Sequence, residues 1–446
     1  MFYRKILDEL DNWRNSKFRK PLILRGARQV GKTTAVEMFS KNFRQFIHLN
    51  LDKVEDKNLF ERNYSFEILL EAIFLYKDAN RNEPETLIFI DEIQNSPEAV
   101  RQLRYFYEEA PELFVISAGS LLESLIDNTI SFPVGRVEYL VMKPVCFTEY
   151  LHAVNADAEL QLIHQIPCSE YAHEKLLNHF YSYALVGGMP EVIERYLQTK
   201  DIHQLKPVYE ALLTAYLDDI EKYSSSDSQV KVLRHSIKSV MTEAGKRIVY
   251  QGFGNSNYRS REISEAMMLI ERAMLIQLIY PVTQTILPIA PDFRKSPKLQ
   301  LFDTGLLNYF SGVQKDLFLS RDIMQTYHGR IAEHIAGQEL SAISFDPLFK
   351  NIFWTREKRQ SKAEVDFIYQ YENLLIPVEV KTASTGHLKS LHIYMNSAPH
   401  DIAVRIYSGA LSEDKITTSS GKSFRLLNLP FYLINEINNY IKWLLS

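Results

Sequence analysis

Eight consecutive residues near the start of the chain have the types and spacing of a triphosphate-binding loop. Residues 26–33 read Gly-Ala-Arg-Gln-Val-Gly-Lys-Thr and follow the apolar run 21–24. Such a loop needs inward backbone N–H groups, glycines where side chains would block the phosphates, a lysine for the β- and γ-phosphates and a hydroxyl for Mg²⁺. The helical pattern after the loop would point a positive helix N-terminus at the phosphates. The predicted binding residues are Gly26, Ala27, Arg28, Gln29, Val30, Gly31, Lys32, Thr33 and Thr34.

A pair of acidic residues ends a second apolar run. Residues 86–90 lead directly into Asp91 and Glu92. A strand of a parallel sheet presents its last side chains at the edge where nucleotides bind. We expect Thr33 and Asp91 to hold Mg²⁺, Asp91 through water, and Glu92 to orient or deprotonate the attacking water. The loop and the acidic pair together predict a nucleoside triphosphatase.

Two serines follow the apolar run 113–116 and are candidates for sensing the γ-phosphate or its water. They are Ser117 and Ser120. Ser120 also precedes Leu-Leu-Glu in an arrangement that resembles a helix capping box, so an N-cap is its alternative role. The sequence leaves both interpretations open.

A second set of charged residues lies near the C-terminus. Asp366, Glu379 and Lys381 have the spacing Asp-x₁₂-Glu-x-Lys, and Glu333 lies upstream on a predicted helix. Two acids that hold Mg²⁺, with a lysine that polarises water or phosphate, would form a metal-dependent phosphodiesterase site. The alternative is a nuclease-like scaffold that grips DNA or protein without cleaving it.

The elements that position the first site alternate along the chain. Strands and helices in turn predict parallel β-α units, the α/β fold of a P-loop NTPase. The predicted strands are 21–25, 45–50, 86–90, 113–117 and 139–142, and the predicted helices are 1–18, 32–41, 65–76 and 97–109.

The middle of the chain predicts a winged helix. Three helical stretches between residues 230 and 273 precede strand-like runs at 275–282 and 298–303. Arg259 and Arg261 begin the third helix, where a recognition helix would present cations to phosphate. Glutamates 262, 265 and 271 on the same helix would repel a duplex. Reading DNA and docking between domains or with a protein are the two alternatives.

Composition limits the remaining classes. The chain has 446 residues, of which 46% are hydrophobic and 24% charged, and its formal net charge is −4. This length predicts several domains, and the charge argues against a globally basic nucleic-acid binder. With Cys146 and Cys168 as the two cysteines, a disulfide framework is not expected. No apolar signal or membrane-spanning run stands out, so we expect a cytoplasmic protein that does not bind membranes.

Several motifs together resemble a known family. They are residues 26–33, 87–94 (Leu-Ile-Phe-Ile-Asp-Glu-Ile-Gln), 117–120, Gly135-Arg136-Val137 with 144–150, 187–191 (Gly-Gly-Met-Pro-Glu), 303–307, 329–333, 364–367 and 377–381. On these residues, which extend over nearly the whole chain, it resembles bacterial and archaeal AAA-type P-loop ATPases with a C-terminal domain of unknown function.

The resemblance implies ATP and Mg²⁺ as cofactors and four parts. These are a P-loop AAA-type ATPase domain at 1–150, a helical linker or lid at 151–228, a winged-helix-like domain at 229–312 and a restriction-endonuclease-like α/β domain at 313–446. Arg136 has three open roles: completing a neighbouring subunit's site in an oligomer, acting at its own nucleotide, or fixing a loop through a salt bridge.

The leading interpretation is an ATPase whose nucleotide state drives the C-terminal region, with double-stranded DNA as the expected partner. The alternative is a slow ATP-dependent switch that binds a protein partner and performs no nucleic-acid chemistry. A nucleotide kinase is a weaker third interpretation, because a P-loop alone does not select the phosphoryl acceptor.

Overall fold

A computed structural model describes residues 2–119, 133, 135–221, 224, 226–314, 329–356, 363–382 and 388–446. The chain divides into two units. The first comprises Met1–Lys143, Arg272–Met274 and Phe345–Leu348, and the second Pro144–Glu271, Leu275–Ser344 and Phe349–Ser446. The four predicted domains are a finer division than this one and stay a prediction.

The first unit contains a parallel sheet with helices before and between its strands. Its strands are β1 (Leu22–Arg25), β2 (Gln45–Asn50), β3 (Thr86–Asp91), β4 (Phe114–Gly119) and β5 (Glu138–Val141). Its helices are α1 (Ile6–Arg14), α2 (Lys32–Ser40), α3 (Val54–Glu61), α4 (Phe66–Tyr76) and α5 (Pro97–Glu109). The strand order is β2-β3-β4-β1-β5, and all neighbours are parallel.

The sequence patterns account for these elements. All six residues of β3 are buried, as expected for a strand covered on both faces. Helix α5 starts after Ser96, whose hydroxyl accepts a hydrogen bond from the Ala99 N–H, with Pro97 in the first turn. The predicted parallel sheet of a P-loop NTPase is thus confirmed, whereas helix α3 was not predicted.

The register of the sheet decides which side chains meet. Asp91 at the end of β3 pairs with Asn50 of β2, and Arg25 at the end of β1 pairs with Gly119 and Val141. Because the strands are parallel, their C-terminal ends share one edge. The loop after β1 and the acids at the end of β3 therefore lie at the same edge.

The second unit combines helices with small mixed sheets. Its helices are α6 (Phe147–Ala153), α7 (Asp157–His164), α8 (His173–Val186), α9 (Pro190–Thr199), α10 (Lys206–Glu221), α11 (Asp227–Glu243), α12 (Ser260–Arg272), α13 (Thr304–Phe310), α14 (Gly329–Ser341), α15 (Lys389–Ser397) and α16 (Ile437–Leu445). Residue 272, at the end of α12, is assigned to the first unit. The strands are β6 (Ile276–Ile279), β7 (Pro281–Val282), β8 (Lys298–Leu301), β9 (Phe353–Thr355), β10 (Glu364–Val365), β11 (Phe367–Tyr371), β12 (Leu374–Val380), β13 (Ile402–Tyr407), β14 (Ser412–Thr417) and β15 (Ser423–Pro430).

These strands form three sheets. Strands β6 and β8 pair antiparallel, β10-β9-β7 form a second sheet, and β11-β12-β13-β15-β14 form a mixed third one. The chain leaves one sheet after Val365 and enters another at Phe367. Asp366 lies at that crossing. Strands β14 and β15 were not predicted.

The region from α11 to β8 has the predicted order of elements. Helix α11, a short 3-10 helix at Phe253–Asn255 and helix α12 precede the β6-β8 pair, and Arg247 forms a further bridge with Lys298. The order of elements does not by itself identify a winged helix or a restriction-endonuclease-like domain, and both stay predictions.

Two segments of the second unit approach each other closely around Asp303. The Asp303 carboxylate accepts hydrogen bonds from the backbone N–H groups of Gly188 (2.6 Å) and Leu306 (2.9 Å). Burial raises its pKa to about 6, against the effect of these hydrogen bonds. A Cβ on Gly305 would lie 2.0 Å from the carbonyl oxygen of Val186. This close approach explains Gly187 and Gly305, whereas a Cβ on Gly188 would lie 2.3 Å from the carbonyl oxygen of Val145.

Gly305→Ala should therefore destabilise the second unit. The added methyl group meets backbone rather than a flexible side chain, and overpacking of this kind costs about 1–3 kcal/mol. Gly329→Ala is the matched control, because a Cβ there has no neighbour within 4 Å among the described residues. Thermal unfolding should show a lower Tm for Gly305→Ala alone, and equal Tm values for the two variants would contradict the close approach.

Candidate nucleotide site

The loop after β1 has the backbone conformation that a phosphate loop needs. Gln29 (φ 64°) and Gly31 (φ 97°) are left-handed, and helix α2 begins immediately afterwards at Lys32. A Cβ on Gly26 would lie 2.5 Å from the carbonyl oxygen of Met142. Ala27 and Val30 are buried, whereas Arg28, Gln29 and Thr34 are at least partly exposed. Glycine at position 26 thus lets two backbone segments approach each other.

Lys32 and Thr33 connect this loop to the acidic edge of the sheet. The Lys32 ammonium donates to the carbonyl oxygens of Gly26 and Ala27, each at 2.9 Å. The Thr33 hydroxyl donates to Oδ2 of Asp91 at 2.7 Å. Hydroxyl and carboxylate oxygens are hard ligands of the kind Mg²⁺ takes. The two residues that the sequence predicted as Mg²⁺ ligands thus lie within hydrogen-bonding distance of each other.

Glu92 lies beside this pair with a restrained carboxylate. Its backbone is left-handed (φ 53°), and its N–H donates to Oδ1 of Asp91 at 3.0 Å. The side-chain amide of Gln94 donates to its carboxylate. Burial raises the pKa of Glu92, opposed by the Gln94 hydrogen bond and by the positive charge of Lys32. A carboxylate with a raised pKa next to a phosphate loop suits a general base.

Two residues at this site were not identified from the sequence. His48 on β2 places Nε2 3.8 Å from Oδ2 of Asp91, and its ring lies against those of Phe46 and Phe89. The sequence around His48 does not show that it lies near Asp91, because this proximity arises only from the pairing of β2 with β3.

Arg4 is the second such residue, and it holds the phosphate loop from outside. Its buried guanidinium donates to the carbonyl oxygen of Val30 in the loop (2.8 Å) and to that of Lys143 after β5 (2.6 Å). It therefore ties the phosphate loop to the end of the first unit's sheet. A cation far from the motif in sequence carries no local pattern that would reveal this role.

The structure describes one of the two serine candidates. Ser117 is fully buried and pairs with Ile23 of β1 and with Ile90 of β3, the residue before Asp91, and its hydroxyl donates to the carbonyl oxygen of Leu22 at 3.3 Å. Its role in sensing the γ-phosphate stays a prediction. Ser120, with its alternative N-cap role, lies outside the described residues.

Arg136 lies at the opposite edge of the sheet from its own phosphate loop. It precedes β5, whose first residue, Glu138, pairs with Leu22 at the start of β1. Its Nε donates to Glu108 of α5 at 3.0 Å, and its side chain is 44% exposed. Of its three predicted roles, the structure shows a salt bridge and does not bring Arg136 to the nucleotide site of its own chain.

The predicted recognition helix carries paired charges. Arg261 of α12 forms an ion pair with Glu265 at 2.9 Å, and the backbone N–H of Arg259 donates to the Glu262 carboxylate. Glu271 pairs with Lys350 at 2.9 Å. No basic stripe is evident on these residues, and DNA binding by this helix stays a prediction.

The C-terminal carboxylates surround a lysine that the sequence analysis did not include. The ammonium of Lys298 lies 2.5 Å from Glu333 Oε1, 2.9 Å from Glu364 Oε1 and 3.8 Å from Asp366 Oδ1. Lys381 pairs with Glu379 at 2.7 Å. A divalent ion bound by Glu333 and Asp366 would have to share this space with Lys298. The residues therefore do not fit the predicted Mg²⁺ site, and among the described residues no group of three or more His, Cys, Asp or Glu is arranged to hold a metal.

Burial and charge shift the titration of these groups. Burial raises the pKa of Glu333 to about 8, supported by Asp366 and opposed by Lys298. Burial and Asp366 together raise the pKa of Glu379 to about 7. Burial alone would lower the pKa of Lys298, but the surrounding carboxylates outweigh it, so this pKa lies above its ordinary value.

Three family models match parts of the chain. Residues 18–151 match an AAA domain, residues 177–317 a domain of unknown function (DUF8612), and residues 328–432 another one (DUF4143). The first unit thus has an AAA-type P-loop ATPase fold. The predicted AAA-type resemblance is confirmed for this part, and the two other matches leave the function of the rest of the chain open.

Solved structures with similarity to the chain are distant in sequence. The Walker-type ATPase of Pyrococcus abyssi is 14% identical over 70% of this chain and 96% of its own, with a TM-score of 0.44. The Thermotoga maritima RuvB Holliday junction branch migration motor is 15% identical over 62% and 90% of the two chains, with a TM-score of 0.28. No curated protein matches the chain. Among the described helices, none has both the length and the apolar character to cross a membrane.

Arg4→Ala should weaken nucleotide binding, because the carbonyl groups of Val30 and Lys143 lose their shared charged donor. A charge-assisted hydrogen bond contributes about 1.5–3 kcal/mol, so we expect roughly a tenfold higher Kd for a fluorescent ATP analogue. Arg4→Lys should recover part of the affinity. Arg101→Ala removes an exposed ion pair on α5 and is the control; a similar loss in this variant would argue against the loop-holding role of Arg4.

Proposed function

We propose that the protein is a Mg²⁺-dependent ATPase. The observation that carries this proposal is the hydrogen bond between Thr33 of the phosphate loop and Asp91 at the end of β3, with Glu92 beside it. This arrangement brings together the three parts that hydrolysis requires, which are a phosphate-binding loop, a pair of metal ligands and a general base. The AAA-domain match over residues 18–151 supports ATP as the nucleotide.

Each residue has a defined task in this proposal. The loop N–H groups and the N-terminus of α2 bind the phosphates, and the Lys32 ammonium compensates charge on the β- and γ-phosphates. Bound Mg²⁺ would supply further charge neutralisation, with Thr33 and Asp91 as its protein ligands. Glu92 orients the water and accepts its proton, which requires the carboxylate to be ionised. Since its pKa is raised, activity should fall as the pH decreases through that pKa.

We further propose that hydrolysis serves an action of the second unit, because that unit contributes most of the chain. Double-stranded DNA and a protein remain the two proposed classes of partner. The ATPase rate measured with and without double-stranded DNA separates them: stimulation supports DNA, and an unchanged rate favours the protein-binding switch. The paired charges of α12 give the DNA alternative no added support.

Lys32→Ala and Glu92→Gln should fail in different ways. Lys32→Ala removes the phosphate-binding cation and should nearly abolish ATP binding, whereas Glu92→Gln keeps Thr33 and Asp91 and should bind ATP while turnover falls on the order of 10²-fold or more. Equilibrium binding and steady-state ATPase assays measure the two effects. Equal loss of binding in both variants would refute these role assignments.

Arg136 is proposed to complete the site of a neighbouring subunit. Arg136→Ala protein mixed with Glu92→Gln protein should regain ATPase activity, because some mixed interfaces then contain both intact groups. Arg104→Ala is the matched control, since Arg104 binds the same Glu108 carboxylate at 3.0 Å. If Arg104→Ala loses as much activity as Arg136→Ala, or if exchanging subunits show no recovery, Arg136 has a structural role only.

A further inference from the structure

The carboxylate cluster of the second unit has a cation built into the protein. Lys298 is 6% exposed, and its ammonium contacts Glu333 and Glu364 at hydrogen-bonding distance, with Asp366 3.8 Å away. The ring of Phe353 lies 4.7 Å from the same ammonium. Three acidic groups and an aromatic ring thus surround one buried positive charge.

The elements that contribute these groups are separate in the chain. Lys298 begins β8, Glu333 lies on α14, Glu364 begins β10, and Asp366 occupies the crossing between β10 and β11. Arg247, which forms a β-bridge with Lys298, also reaches Glu364 at 3.3 Å. The β6-β8 region therefore contributes the lysine, and α14 and the strands that follow it contribute the carboxylates.

The remaining groups of the cluster are arranged around this pairing. Oδ2 of Asp366 accepts a hydrogen bond from the Val380 N–H at 2.8 Å, so one oxygen of this carboxylate is already engaged. Glu379 is 6% exposed, and its Oε2 has no hydrogen-bond partner, whereas its Oε1 pairs with Lys381. An unpartnered buried carboxylate oxygen costs free energy, and a cation placed near it would recover that cost.

We infer that the ammonium of Lys298 occupies the cation position of this cluster, so that the cluster is a latent divalent-metal site that the β6-β8 region keeps closed. A lysine ammonium is one positive charge with three donors, and it satisfies the carboxylates without an open coordination position. With Lys298 in place, the C-terminal domain does not hydrolyse phosphodiesters. With Lys298 in place, these carboxylates are not arranged as a metal site among the described residues. Without its ammonium, Glu333, Asp366 and Glu379 would close around a divalent cation, because carboxylate oxygens are the hard ligands that Mn²⁺ or Mg²⁺ binds.

The test is a Mn²⁺ titration of the full chain without nucleotide, followed by the EPR signal of free Mn²⁺. Wild type and Asp366→Asn should bind Mn²⁺ equally, because Asp366 has no metal to hold in either. Lys298→Met should bind one further Mn²⁺ ion per chain, at a site that wild type lacks. The double variant Lys298→Met/Asp366→Asn should lose that site.

Two further variants separate this result from general effects. Lys350→Met removes another lysine–glutamate pair of the same unit and should gain no Mn²⁺. Lys298→Met leaves several carboxylates uncompensated and is expected to lower the Tm, so Lys298→Met/Glu364→Gln, which keeps Glu333, Asp366 and Glu379, serves as a second variant with less repulsion. Added Mn²⁺ should raise the Tm of both Lys298 variants. In wild type, any change in Tm on adding Mn²⁺ should be the same as in Asp366→Asn.

Measurements on the wild-type protein test the inference even if the Lys298 variants do not fold. Asp366-dependent Mn²⁺ binding, or Asp366-dependent nicking of plasmid DNA in Mg²⁺ or Mn²⁺, by wild-type protein would overturn the inference. A folded Lys298→Met variant that gains no metal site would overturn it as well. Neither outcome touches the ATPase proposal, which rests on the first unit.

Discussion

The parallel register between β1, β4 and β3 is the constraint on which the nucleotide site depends. It places the loop that leaves β1 and the acids that end β3 at one edge, so that Thr33 and Asp91 come within 2.7 Å. A slip of one residue would turn every side chain of β3 to the other face. All residues of β3 are buried, and their packing holds the strand in this register. The same packing therefore determines where Asp91 lies.

The second unit meets a different constraint, the compensation of charges inside a folded domain. Glu339 is buried and accepts hydrogen bonds from the Tyr183 hydroxyl (2.6 Å) and the Asn435 amide (2.9 Å). Asp303 uses backbone N–H groups, and the Glu333 and Asp366 carboxylates use Lys298. Removing one partner of such a group leaves a buried charge uncompensated, which costs several kcal/mol. The polar interior of this unit thus joins elements that are distant in the chain.

Acidic residues after apolar runs occur in both units, and their surroundings give them different chemistry. Asp91 and Glu92 face a loop whose lysine and threonine are placed for a nucleotide and its metal. Glu333 and Asp366 face a buried lysine instead. The same residue types therefore fit the proposed catalytic role in the first unit and the inferred closed ion cluster in the second. Burial and the nearest cation distinguish them, and neither is visible in a local motif.

The sequence by itself determined the five strands of the first unit, its helices other than α3, the phosphate loop and the acidic pair, because these depend on local periodicity and on a motif of fixed spacing. Only the tertiary structure decided which distant groups join them. Arg4, His48 and Lys298 acquire their contacts through the packing of elements that are remote in the chain, and the register of β5 places Arg136 at the end of the sheet away from the phosphate loop. Motif spacing indicates which side chains are available for chemistry. Long-range packing determines which charges meet, because electrostatic and hydrogen-bond energies depend on distances between atoms, and the linear sequence does not contain these distances.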